Sequence, residues 1–367
     1  MSALPSLTRG WCPSLFRPME SGDGFLARIR PWRGCIRAQL AAALAQAARA
    51  YGNGIIEVTN RANLQARGLR PETIAPFTAA LEAAGAGSAE GSRVLLSPLA
   101  GADPSLPPDL LTLASEIDTA LPADLPAKFG VLIDGGGALP LAGLALDITL
   151  RFVEGVWQVN GEPCAPASLP AQVAGLAGQV PRRTERAGRP PALGFTPLAD
   201  GARGFLVLAP AFGQMPAEAL AALADLASLH GDGALRPTPW KTLIIAGVAA
   251  KVATGLTESA AQLGFITAPE DGRLSIRACP GSPACLRGEV EIHAAALALA
   301  EGRRGSDPLW HLSGCAKGCA HPGVAAATLV GRQGRFDLVI DGKAADTPAF
   351  RALTLAEIPA LMQSLAS

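Results

Sequence analysis

One succession of residues and predicted elements occurs twice in this chain, about 180 positions apart. Gly24-Phe25 opens an alternating, strand-like run. An Ala/Leu/Gln segment of high helix propensity follows over Arg37 to Arg49, Gly52-x-Gly54 closes it, and Ile55 to Thr59 reads as the next strand. Gly204-Phe205, a helical segment from Pro216 to Leu229, Gly231-x-Gly233 and Ala234 to Thr238 take the same places in the second half. Thr59 aligns with Thr238, Leu64 with Leu243, and the turn signal Asn160-Gly161 with Asp341-Gly342. The alternative is chance agreement between two generic stretches; a repeat of this kind predicts two copies of one unit. Strands followed by helices, with hairpins at the end of each copy, predict an α+β fold with mixed sheets rather than a doubly wound one. Pro181 to Pro191, basic and proline-rich, is the natural linker.

Composition narrows the function classes. Thirty-one basic and 31 acidic side chains cancel, so no global field draws the chain to nucleic acid or an anionic membrane. Although 49% of residues are hydrophobic, no long apolar run escapes Gly, Pro or charge, and no membrane span is expected. The N-terminus lacks the charged and apolar regions of an export signal, and the seven cysteines are odd in number. Together these predict a cytoplasmic protein with reduced thiols. Neither G-x-G-x-x-G after a strand nor a P-loop is present, so electrons, if used, come from a separate donor protein.

Four of the seven cysteines stand in two pairs, Cys279-x5-Cys285 and Cys315-x3-Cys319, with residues 286–314 between them. The wider spacing is loose for a zinc knuckle. It suits the corners of an iron-sulfur cube, with Pro280, Gly281 and Pro283 holding a non-helical path and Gly314 and Gly318 letting backbone N–H groups approach sulfur. Four buried free thiols are the bland alternative. A second polar concentration, Thr59, Asn60, Arg61, Asn63, Gln65 and Arg67, follows the strand at Ile55 and reads as a loop.

The cysteine pattern, with Ser313-Gly-Cys315-Ala-Lys-Gly-Cys319-Ala-His321-Pro322 and the opening Arg9-Gly-Trp-Cys-Pro-Ser-Leu-Phe-Arg-Pro-Met19, resembles the sirohaem-dependent nitrite and sulfite reductase superfamily. Within it, the precorrin-3B synthase branch is the most similar. The resemblance covers essentially the whole chain and implies two tandem copies of a ferredoxin-like half-domain followed by a tetrapyrrole- or cluster-binding half. The implied boundaries are 1–70 and 71–180 for the first copy, 181–195 for the linker, and 196–255 and 256–367 for the second. It also implies a 4Fe-4S cluster on Cys279, Cys285, Cys315 and Cys319. A mononuclear non-haem iron remains open, and sirohaem belongs to the reductase alternative. The branch implies O2-dependent hydroxylation and lactonisation of the tetrapyrrole precorrin-3A. A sirohaem nitrite or sulfite reductase and a non-catalytic zinc or electron-transfer protein are the rivals.

The family's T-x-R strand end is matched by Thr59-Asn-Arg61, and its L-P-x-K-F segment by Leu125-Pro-Ala-Lys128-Phe129. Arg61 and Lys128 are therefore the expected catalytic cations. Thr59, Asn63, Gln65, Arg67, Trp240 and Lys317 are the expected substrate contacts. Two family cations are missing: Gly130 stands where the reductases have a second lysine, and Ser92 where they have an arginine. Those losses weigh against small-oxyanion reduction, which needs preorganised positive charge.

Overall fold

The structure, a computed structural model, describes residues 12–87, 92–126, 128–141, 143–179, 186–188 and 190–366. The start of the opening motif, Arg9 to Trp11, and residues 181–185 of the expected linker lie outside the described residues. Two five-stranded antiparallel sheets form the centre. The first runs Met19–Ser21, Gly24–Ile29, Leu64–Leu69, Ile55–Val58 and Gln214–Pro216; the second runs Gly194–Pro197, Arg203–Leu208, Leu243–Ala249, Ala234–Pro237 and Ile36–Arg37. Each sheet takes its last strand from the other copy. The exchange covers an edge that would otherwise offer unpaired backbone groups.

Each borrowed strand leads straight into a helix, Ala38–Tyr51 or Ala217–His230. Alanine-rich faces let these helices pack closely, and Ala41, Leu44 and Ala48 share one core with Leu220, Leu223 and Ala227. Both helices end in the same way: Gly52 and Gly231 each donate N–H to the carbonyl four residues back at 3.0 Å, and Gly54 and Gly233 both have φ 76°. The repeat is therefore physical: the two copies are tandem in sequence, and they interlock through the exchanged strands. Phe77 and Leu81 of helix Pro71–Ala83, and Leu256 and Ala260 of helix Ala253–Gln262, pack in this shared core.

The remaining two sheets have matching topology. Val94–Leu96, Val131–Asp134 and Ile148–Val153 are parallel, and Val156–Val159 and Glu162–Cys164 continue antiparallel. Ile276–Ala278, Trp310–Ser313 and Ala325–Arg332 are parallel, and Arg335–Gly342 and Phe350–Leu353 continue antiparallel. The mixed sheets agree with the sequence reading. One turn differs. Asn160-Gly161 joins paired Val159 and Glu162 in a two-residue hairpin, whereas Gly342 still pairs with Ala325 and residues 343–349 lead to the next strand.

Strand alternation explains how the layers stack. In the second sheet both faces are apolar. Leu206, Leu243 and Ile245 enter the shared core, while Phe205, Val207 and Ile244 pack beneath the mixed sheet of the first copy. In the first sheet only one face is apolar, with Ala27, Ile29, Ile56, Val58, Leu64 and Ala66 in the core. Its other face carries Arg28, Glu57, Gln65 and Arg67. Among the described residues, no helix is long and apolar enough to cross a membrane.

Candidate functional site

The polar face of the first sheet is a cross-strand row in register. Arg28 stands opposite Gln65, Gln65 opposite Glu57, and Glu57 opposite Gln214 of the second copy. Their side chains are linked in the same order. Arg28 donates to Gln65 Oε1 at 3.0 and 3.3 Å, Gln65 Nε2 donates to Glu57 Oε2 at 2.7 Å, and Gln214 donates to Glu57 Oε1. Burial lowers the pKa of Arg28. The row forms the floor of a cavity of about 360 Å³ whose other walls include Lys241, Ala278, Pro280, His293 and Cys319.

Arg67 is 4% exposed and does not reach into that space. It pairs with Asp23 at 2.9 Å and Glu57 at 3.1 Å, and donates to Ser21 Oγ at 2.8 Å and to the Ala284 carbonyl at 2.7 Å. Burial works against its charge, and Glu57 and Asp23 more than reverse that effect, so its pKa lies above the ordinary arginine value. Ala284 lies beside Cys285, and its carbonyl also accepts from Ser21 Oγ at 2.9 Å and Gly22 N–H at 3.2 Å. The expectation that Arg67 contacts substrate is corrected: it ties the first copy to the cysteine loop of the second. Gln65 and Arg67 are also strand residues, not loop residues.

The loop after Ile55–Val58 does repeat. Thr59 and Thr238 each close a five-residue turn: Thr59 N–H donates to Asn63 O and Thr238 N–H to Thr242 O, both at 2.9 Å. Ala62 and Lys241 share the left-handed position, with φ 54° and 60°. Arg61 and Trp240 are equivalent, as the sequence predicts. Arg61 Nη2 donates to the Lys128 carbonyl at 3.0 Å, which brings the two expected cations together, although Lys128 itself is exposed. Arg61 and Asn63 line an outer cleft with Cys12, Arg28, Arg30 and Arg93, against an apolar wall that includes Leu96, Phe129 and Leu146. This cleft meets the inner cavity at Arg28 and Asn60. Trp240 is half-buried and packs against Leu95, Leu132, Leu141, Leu144 and Leu146.

The cysteines gather because of parallel strands. Cys279 and Cys315 follow the adjacent strands Ile276–Ala278 and Trp310–Ser313, and Cys279 N–H donates to Leu312 O at 3.1 Å. Gly314 N–H donates to Cys279 Sγ at 3.1 Å. Burial raises the pKa of Cys279 despite N–H groups of Gly314 and Gly281, and Cys285 and Cys315 add to the rise. Burial likewise raises Cys319, with Cys315 and Cys285 among the contributors and exposed Lys317 opposing them. Cys285 and Cys315 thus lie within electrostatic reach of both Cys279 and Cys319. His321 is engaged with Val324 O at 3.2 Å and stands edge-on to His311 at 5.8 Å.

Arg28, Glu57, Lys241 and His293 are functional candidates that the sequence reading passed over. Arg28 and Glu57 carried a signal, because each is a charge alternating with apolar residues inside a predicted strand. His293 did not, since only the fold turns it toward Glu57. Burial lowers its pKa to about 4.

The ferredoxin-like half domain model of nitrite/sulfite reductases matches residues 17–84 and 197–263. A precorrin-3B synthase from Sinorhizobium sp. is 34% identical over 94% of this chain and 85% of its own length. The chain belongs to the precorrin-3B synthase family. More remote relatives place this precorrin-3B synthase family member within the nitrite/sulfite reductase superfamily. A ferredoxin–nitrite reductase of Synechococcus elongatus is 26% identical, covering 89% of this chain and 80% of its own. The structure of Mycobacterium tuberculosis NirA shares the fold, with TM-score 0.65, 19% identity and coverage of 93% and 80%.

Proposed function

We propose that this chain is a precorrin-3B synthase: with O2 it hydroxylates precorrin-3A at the meso carbon destined for extrusion and closes a lactone from a ring A acetate, in cobalamin biosynthesis. The observation that carries the reading is the 34% identity to a precorrin-3B synthase over 94% of the chain. The cleft adds chemical support. An apolar wall beside Arg28, Arg30, Arg61 and Arg93 suits a flat ring edged with acetate and propionate arms, and a guanidinium pairs bidentately with a carboxylate. Arg61, fixed through the Lys128 carbonyl, would orient the macrocycle, while Leu96, Phe129 and Leu146 exclude water from one face.

Cys279, Cys285, Cys315 and Cys319 would hold a 4Fe-4S cluster. The donor set fits: four thiols, two of them within electrostatic reach of both others, one sulfur accepting a backbone N–H, and a close-packed glycine floor. A Cβ on Gly314 would meet the Cα atoms of Gly288 and Gly281 at 3.1 and 3.2 Å. Among the described residues, no three His, Cys, Asp or Glu side chains converge as they would around one ion. When bound, a cluster supplies single electrons received from a separate donor protein. Hydroxylation then balances as O2 with two electrons and two protons giving one substrate hydroxyl and one water.

The test is anaerobic incubation of iron- and sulfide-replete protein with precorrin-3A and reductant, followed by O2. The product should gain one oxygen atom and a lactone, and unchanged precorrin-3A would overturn the reading. The retained T-x-R strand end at Arg61 favours a sirohaem reductase as the second reading; a haem spectrum in the purified protein would support it.

A further inference from the structure

The second copy contributes one side chain to the inner cavity that nothing in the row along its floor engages. Gln65, Gln214 and Arg67 hold Glu57, and Gln65 holds Arg28. The Lys241 side chain makes no hydrogen bond or ion pair among the described residues, its backbone N–H being held by Thr238 O, yet it lines this cavity with Cys319 and Pro280. Its surroundings are electrically mixed, with Glu57 and Cys279 on one side and Arg277 on the other. The residue is exposed, while enough protein surrounds the ammonium for desolvation to pull its pKa below that of an ordinary lysine.

Three features aim this side chain. Lys241 occupies the left-handed position of its turn, φ 60°, where a residue with a side chain is strained and its Cβ direction is set by the backbone. The matching residue of the first copy is Ala62, so the turn itself does not need a lysine. Space for the stem is provided by Gly213, φ +83°, where an added Cβ would come within 2.7 Å of Lys241 Cδ. A solvated surface lysine needs neither a strained backbone nor a glycine opposite its methylenes.

We infer that Lys241 is a specificity-determining cation, supplied by the second copy, that pairs with an anionic oxygen pair of the ligand against the Cys319 side of the cavity. Resting on the proposed function, that ligand is a polycarboxylate tetrapyrrole, and the group is one of its acetate or propionate arms. Lys241 thus supplies, from the inner cavity, positive charge that Gly130 and Ser92 of the outer cleft lack. The same ammonium chemistry suits a small oxyanion, and the experiment separates the two.

Full-length protein is titrated anaerobically with uroporphyrin, a fluorescent tetrapyrrole carboxylate, and separately with nitrite and sulfite. Wild type, Lys241→Met, Lys241→Arg and Gly213→Ala are compared, with circular dichroism and thermal melts confirming folding. Lys241→Met is expected to weaken uroporphyrin binding about tenfold or more, and Lys241→Arg to recover most of it. Gly213→Ala, which keeps the charge but displaces the stem, should weaken it as well. Equal binding by folded Lys241→Met and wild type overturns the assignment of Lys241 and leaves the tetrapyrrole reading intact. Lys241-dependent binding of nitrite or sulfite without uroporphyrin binding keeps the cation and overturns the tetrapyrrole. Binding of neither probe overturns both.

Discussion

Replacing Arg67 with methionine is the most informative perturbation of the framework. The guanidinium joins buried Asp23 and Glu57 to the Ala284 carbonyl of the cysteine loop. With Arg67 4% and Asp23 6% exposed at the side chain, Arg67→Met leaves a carboxylate in low dielectric without its cation. Breaking one partner of such a pair costs about 3–5 kcal/mol. In a cooperative unit of this size that loss lowers Tm by roughly 4–6 °C. The Ala284 carbonyl keeps only Ser21 and Gly22, so amide exchange should accelerate over 279–286 before it does in the sheets. Thermal melts give the global cost, and hydrogen exchange with mass spectrometry gives the local one. A second substitution, Asp23→Asn, should relieve part of the Arg67→Met loss because the orphaned charge disappears. A loss under about 1 kcal/mol, or full additivity of the two changes, would refute the buried-pair reasoning.

Arg61→Met should raise KM for the tetrapyrrole about tenfold with a smaller effect on kcat, because a carboxylate clamp acts before and during the reaction; steady-state kinetics checks the split. Cys285→Ser should lower iron and acid-labile sulfide per chain while far-UV circular dichroism is retained, since the cysteine loop lies outside the shared core. His293 supplies a pH dependence. Its pKa is about 4 in the folded chain against 6.5 ordinarily, so the unfolded chain takes up the proton first. The stability from keeping it neutral is present above about pH 6.5 and is lost as pH falls toward 4, at about 1–3 kcal/mol in all. His293→Gln should flatten that part of a urea-midpoint profile.

The duplicated architecture was legible because turns and caps repeat with their chemistry. Gly52-x-Gly54 and Gly231-x-Gly233, and the threonines at 59 and 238, do the same work in both copies. The strand exchange was not legible. Ile36–Arg37 and Gln214–Pro216 are too short to show a period, and their partners lie in the other copy. The four cysteines stood out by composition, and the approach of Cys279 to Cys315 follows from two parallel strands that end side by side. Gln65 and Arg67 were found for the wrong reason. They cluster in sequence with Arg61, but strand alternation turns both onto the polar face of the sheet, where Gln65 joins the floor of the inner cavity and Arg67 is held by Asp23 and Glu57. The apolar setting of Trp240 was not legible, because Leu132 and Leu144, against which it packs, are more than 90 residues away.

The central claim, hydroxylation of a tetrapyrrole by O2 on a reductase-like fold, is tested most directly with isotopically labelled dioxygen. Full-length protein, precorrin-3A, a reducing donor and labelled O2 are combined, and the product is weighed by mass spectrometry. The account predicts a lactone product whose new hydroxyl carries the label. A product labelled from water, or precorrin-3A returned unchanged while the same preparation reduces nitrite or sulfite, would contradict it.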